Sequence, residues 1–199
     1  MSALALCITF LFLAVAGRIA MQYRFAGDHG IRMPKRQSSA LLVLVQTLLA
    51  CSVIGVFVVT CLQVADLIRP QIDLGAVGTL VGLAVGLIGI ATTTVAQYQM
   101  GASWRIGVDE SESTKLVTHG LYAHVRNPIY SGMMTFGLGL LFLIPHLYMA
   151  PILAAGYLSI ELHVRKVEEP YLSRQHGTAY ATYFDGTGRY LPKFKRHRD

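Results

Sequence analysis

Charge is scarce in this chain: Asp, Glu, Lys and Arg together make up 14% of its 199 residues, against 53% apolar side chains. That much apolar surface exceeds what one small aqueous core can bury, which excludes an ordinary soluble domain and makes lipid part of the solvent. Cysteine is equally thin. Cys7, Cys51 and Cys61 all fall in apolar stretches without disulfide or metal spacing and read as small packing residues. His119, His124, His146, His163 and His176 lack the tight spacing of a zinc site and have no Cys beside them, so no metal is expected. No basic segment precedes the first apolar run, and that run is too long for the apolar core of a signal peptide. Internal repeats and low-complexity tracts are also absent.

What is present is a series of five apolar runs, and a helix needs about 20 apolar residues to cross roughly 30 Å of hydrocarbon. They extend from about Ala3 to Tyr23, Ser39 to Val64, Leu74 to Gln97, Ile129 to Ile144 and Tyr148 to His163. The last two are short and divided only by Pro145 and His146, which predicts a tight helical hairpin. The fold expected is therefore an all-α integral membrane protein with about five transmembrane helices and a cytoplasmic C-terminal helix from about Glu168 to Tyr183, with Pro170 near its start. Basic residues collect in cytoplasmic loops. Of the 17 here, 15 fall in the first loop, the third loop and the tail, and only Arg18 and Arg69 lie elsewhere, which places the N-terminus outside and the C-terminus inside. A net charge of +6 arranged in this way suits anionic membrane lipids and not nucleic acid.

Composition divides the chain near residue 97. Residues 1–97 form a three-helix transmembrane region whose spans are almost without ionisable groups, and residues 98–199 hold six of the seven His, all five Glu, nine of the ten Tyr and seven of the twelve Arg. In the third run Gly75, Gly78, Gly82, Gly86 and Gly89 recur every three or four residues, a stripe along which another helix can approach closely. The connection from Tyr98 to Asn127 is too long for a simple link and its Trp, Tyr, Gly and Arg content favours a binding segment.

Three constellations follow. The stretch from Leu116 to Tyr130 carries Gly120, where unusual backbone angles are available, and Pro128, suited to a first helical turn; the free amides there can hold a carboxylate. Tyr122, Arg126 and Tyr130 also fit an interfacial belt. Glu161, Arg165, Glu168 and Glu169, spaced four, three and one apart, fall near one helical face at the end of the last run, where Arg165 is the natural partner of Glu161. Tyr180 and Tyr183 share a face of the C-terminal helix, followed by Gly188-Arg189-Tyr190-Leu191-Pro192.

In this order, Leu-Val-x-x-Gly-x-Tyr-x-x-x-Arg-Asn-Pro-x-Tyr, an apolar hairpin, Glu168-Glu169, His176-Gly177-x-x-Tyr180-x-x-Tyr183 and Gly188-Arg189-Tyr190-Leu191-Pro192, the chain resembles the isoprenylcysteine carboxyl methyltransferase family and its phospholipid methyltransferase relatives over roughly residues 97 to 194. The resemblance implies an enzyme that uses S-adenosylmethionine on a lipophilic small-molecule or lipid-modified acceptor, most naturally the carboxylate of a prenylcysteine. It carries Gly120, Tyr122, Asn127, Pro128, Tyr130, Glu168 and Glu169 over as cofactor-binding, and Arg165, Glu168 and Arg189 as catalytic. Trp104, Arg105, Glu161 and Arg165 are the expected acceptor contacts. Where the family has Arg-His-Pro, this chain has Arg126-Asn127-Pro128, and Asn cannot act as a base. A carboxylate acceptor needs a cation, for which Arg165 is the first choice; an amine acceptor needs a base, for which Glu161 or Glu168 is the candidate. A sterol-reductase-like enzyme using a nicotinamide cofactor and a non-enzymatic lipid-binding or transport protein are the competing readings.

Overall fold

A computed structural model describes residues 2–27, 40–103 and 115–193, and all its regular elements are helical. The first span combines α1 (Ser2–Phe10), a π-helical turn (Leu11–Gly17) and α2 (Arg18–Ala26); α3 (Ala40–Val64) and α4 (Gly75–Met100) follow. A 3₁₀ turn (Gly120–Ala123) leads to α5 (Pro128–Leu143), then α6 (Met149–His163), a second π-turn (Val164–Glu168) and α7 (Glu169–Gly186). Among the described residues, three helices are long and apolar enough to cross a membrane: Ser2–Arg24, Ala40–Val64 and Gly75–Met100. With 16 and 15 residues, α5 and α6 reach only about 22–24 Å. The five-run expectation thus resolves into three full-length helices and two short ones. The protein is an integral membrane protein.

The glycine stripe does what its spacing predicts. α4 and α5 run antiparallel with their backbones nearly touching: a Cβ on Gly139 would lie 2.6 Å from the Gly86 Cα, one on Gly132 would lie 2.6 Å from the Thr93 nitrogen, and one on Gly82 would lie 2.7 Å from Leu143. Without a hydrophobic drive between helices in lipid, such close van der Waals packing is what holds them together. A second antiparallel pair forms from α3 and α6. Ser52 donates to the Ile152 carbonyl (2.8 Å) and Ser159 to the Val45 carbonyl (2.7 Å), so small hydroxyls stitch the two backbones.

These two pairings change the expected hairpin. α5 and α6 are joined by a short turn, but α5 belongs to α4 and α6 belongs to α3, and the arms stand apart below Gly137 and Leu153, whose side chain meets the glycine. The core cluster of Leu6, Cys7, Val56, Phe136, Leu140 and Met149 fills the end near the turn. A groove remains between the arms further along.

A branched residue at the tightest crossing cannot be accommodated by side-chain adjustment, because the atoms it meets are backbone. Gly139→Val is expected to destabilise the detergent-solubilised protein by at least about 1–3 kcal/mol, while Gly186→Ala, which meets nothing within 4 Å, should leave the thermal midpoint within about 2 °C. Thermal unfolding monitored by circular dichroism checks both.

Candidate active site

The segment before α5 is fixed by α4. Gly120 has φ +61°, and a Cβ there would strike the Gln99 side chain, whose Oε1 accepts the Leu121 amide at 2.8 Å. Glycine is required for that close approach. One residue later Tyr122 is buried, with its hydroxyl directed at the Ala96 carbonyl (3.3 Å), and burial pushes its phenol far above the usual range. Tyr183 of α7 donates to the Tyr122 carbonyl at 2.8 Å, with its own phenol raised by burial to about 12.

The C-terminal segment then folds back across this loop. The Arg126 amide donates to the Gly188 carbonyl (2.8 Å) and the Asn127 amide to the Arg189 carbonyl (3.0 Å), a short strand-like contact centred on Val125 and Gly188. Ser131 caps the contact through the Tyr190 carbonyl (2.8 Å). Charge locks it. Glu169 accepts from Arg189 through both carboxylate oxygens at 2.9 Å and from Arg126 at 3.2 Å, while Glu161 receives Arg189 (3.1 Å), the Tyr190 hydroxyl (2.8 Å) and Arg165. The hydrogen bonds to Glu169 hold the Arg189 guanidinium's pKa above its usual value, and burial followed by the bond to Glu161 raises the Tyr190 phenol. Arg126 also lies over the Phe184 ring at 3.9 Å.

Glu168 is turned elsewhere. The π-turn at Val164–Glu168 adds a residue to the helical repeat, so Glu168 leaves the face shared by Glu161 and Glu169 and points inward. Its Oε1 receives the Tyr130 hydroxyl at 2.7 Å and lies 3.2 Å from the His163 Nε2. These groups border a cavity of about 310 Å³ lined by the first span, α3, α4, α5, α6, the loop and the π-turn. Three buried polar atoms in residues lining it have no hydrogen-bond partner among the described residues: Thr93 Oγ1, Gln97 Oε1 and Arg126 Nε. Through Phe10, Leu49, Met133 and Ile160 the cavity continues into a groove of about 390 Å³ with almost wholly apolar walls from α1, α3, α5 and α6. The groove's rim residues Leu11, Val53, Leu138 and Tyr157 are exposed, so it opens sideways toward lipid.

The family model described as phospholipid methyltransferase matches residues 77–179, just over half of the chain. The chain belongs to the phospholipid methyltransferase family. The matched region holds α4, α5, α6 and the π-turn, so both walls of the cavity's polar end are family elements. Among solved structures, that of the eukaryotic intramembrane Ras methyltransferase ICMT (isoprenylcysteine carboxyl methyltransferase) without a monobody matches with a TM-score of 0.61 and 18% identity, covering 96% of this chain and 68% of that one. At that identity the likeness is one of fold. No curated protein matches the chain.

Within this member of the phospholipid methyltransferase family, the expected site residues divide into two groups. Tyr122, Asn127, Tyr130 and Glu168 line the cavity. Glu161, Glu169 and Arg189 form the ionic clasp that ties down the C-terminal segment, Gly120 packs on Gln99, and Arg165, with its side chain 57% exposed, pairs with Glu161 outside the cavity. Pro128 begins α5 and does not border the cavity. Trp104 and Arg105 lie outside the described residues. Sequence reasoning passed over Thr93 and Gln97, although polar groups near the end of an otherwise apolar helix were a signal; it quoted Arg126 in a belt and in the Arg-Asn-Pro motif without giving it a role, and His163 only among non-metal histidines.

Removing one partner of a clasp this shielded leaves charges uncompensated. Glu169→Gln is expected to lower the thermal midpoint by roughly 6–12 °C and to raise hydrogen exchange at residues 187–190 before any other segment. Exchange mass spectrometry in detergent reads both ends of that expectation.

Proposed function

We propose that the protein transfers a methyl group from S-adenosylmethionine to an acceptor carried on a lipid chain, with the cofactor in the 310 Å³ cavity and the chain in the adjoining groove. The observation that carries this reading is the continuity of a polar cavity, holding orphaned buried donors and acceptors, with an apolar groove open to lipid. The residues fit the cofactor. Arg126 Nε offers an unused donor for a carboxylate, Thr93 Oγ1 and Gln97 Oε1 offer unused acceptors for an ammonium, and the Glu168 carboxylate complements a sulfonium. The volume falls at the small end of ligand sites. When bound, S-adenosylmethionine supplies an electrophilic methyl group.

The protein's share is positioning and exclusion of water, since displacement at a methyl carbon needs close, aligned approach. Tyr130 and His163 fix the Glu168 carboxylate, and the clasp of Glu161, Glu169 and Arg189 ties the C-terminal segment to the loop that carries Arg126 and Asn127. The basic-residue distribution supports a cytoplasmic position for this end, with the cofactor arriving from water and the acceptor from the bilayer.

Titration of the purified protein with S-adenosylhomocysteine, run beside NADPH, tests the reading. Saturable heat from the former alone is expected; binding of NADPH alone or of neither overturns it. Gln97→Leu should weaken S-adenosylhomocysteine binding about tenfold, the cost of one lost buried hydrogen bond, and Arg165→Ala should leave it unchanged. For orientation, cysteines at Lys115 and Lys193 should label from one side and a cysteine at Arg69 from the other.

A further inference from the structure

The cavity and the groove share four lining residues, each from a different helix: Phe10 from α1, Leu49 from α3, Met133 from α5 and Ile160 from α6. Together they form an apolar collar, steadied on one side by the stack of Phe10 on Phe136. A chain lying in the groove with its head in the cavity passes through this collar. Three polar side chains of the cavity wall stand one helical turn from a collar residue. Tyr130 and His163 are two of them, and both are engaged with Glu168. The third is Gln46, on the turn of α3 before Leu49, and it makes no hydrogen bond among the described residues.

An amide inside an apolar span is costly to leave without a partner. Gln97, the other glutamine of the cavity wall, gives its Nε2 to the Ala14 carbonyl at 2.9 Å. The backbone beside Gln46 is fixed, because Ser159 donates to the Val45 carbonyl at 2.7 Å and staples α3 to α6 there. Among the described residues, Gln46 is also the one polar member of the wall that lies outside residues 77–179; everything else the first span and α3 contribute is apolar. Its side chain is neutral and carries two N–H donors, which suits an uncharged carbonyl and offers no charge to an ion.

We infer that Gln46 is a positioning residue for the acceptor: its amide donates to a carbonyl in the ester or amide linkage that joins the acceptor's apolar chain to its reacting head group. This rests on the methyl-transfer reading above and deepens it. Bound there, the linkage sits just past the collar, and the hydrogen bond sets how far the head group reaches into the cavity. Gln46 touches neither the transferred methyl group nor the atom that receives it. The register of the acceptor is thus set by α3, outside the stretch that the family model matches.

The test uses the full chain in phosphatidylcholine vesicles with two matched pairs of probes, each pair differing in the linkage carbonyl: diacyl against dialkyl phosphatidylethanolamine, and N-acetyl-S-farnesylcysteine against S-farnesyl-3-mercaptopropionate. Methylated product is read by mass spectrometry for whichever pair the protein turns over. In the parent, kcat/KM should be about tenfold higher for the carbonyl-bearing member, the worth of one buried hydrogen bond. Gln46→Leu should lower that value about tenfold, change the carbonyl-free member by less than twofold, and leave S-adenosylhomocysteine affinity within about twofold. Equal losses on both members of a pair would mark Gln46 as merely structural and overturn the inference. So would a parent that does not distinguish the two members, a variant that loses nothing, or a loss traced to S-adenosylhomocysteine binding. A parent that binds S-adenosylhomocysteine and methylates none of the four probes overturns the placement of a linkage against Gln46. One that does not bind S-adenosylhomocysteine fails the underlying reading first and takes this one with it.

Discussion

The Glu169 carboxylate lies between two guanidiniums that reach it from opposite directions along the chain: Arg126, just ahead of α5, and Arg189, beyond the end of α7. Three segments that share no secondary structure are thereby held at one point. Both arginines also donate elsewhere, Arg126 from its terminal nitrogens to backbone carbonyls and Arg189 to Glu161, which leaves the Arg126 Nε as the one buried donor of the clasp without a partner among the described residues. The short backbone contact around Val125 and Gly188 is too small to hold the C-terminal segment alone. With the clasp in place, the segment backs Arg126 and Asn127, and these two residues line the cavity.

Below the clasp the constraint is steric. Helix association in lipid gains nothing from burying apolar area against apolar solvent, so contact must be close to matter. Glycines give α4 and α5 that contact, and the hydroxyls of Ser52 and Ser159 give it to α3 and α6. Because the two pairs are each satisfied internally, the short hairpin of α5 and α6 is pulled toward different neighbours. The groove is the space left between pairs, and Phe10, stacked on Phe136 at 4.2 Å, stands where it meets the cavity.

Much of this was legible in the sequence because apolar length and small-residue spacing act locally. The helix limits of Ala40–Val64 and Gly75–Met100 fall within a few residues of the apolar runs, and the glycine stripe is a packing surface as its period implies. The partition of the carboxylates was not legible. Regular helical spacing groups Glu161, Glu168 and Glu169 near one face, and nothing in Val-Arg-Lys-Val-Glu announces the π-turn that sends Glu168 inward. Arg165 was the resemblance's choice for the acceptor's cation, and its spacing from Glu161 also made it that residue's natural partner; it makes that ion pair with its side chain 57% exposed. The partners that decided the matter, Arg126 and Arg189, are 63 residues apart, a distance over which spacing carries no information.

The sideways opening of the groove, rimmed by Leu11, Val53, Leu138 and Tyr157, sets the units in which this site meets its acceptor. A molecule entering there is counted per lipid, not per litre. Saturation then follows its mole fraction in the leaflet, and diluting the membrane with inert lipid slows encounter even when the total amount in the tube is unchanged. Under the proposed function the bilayer is in this sense the reaction vessel, and its composition sets the rate without touching the protein.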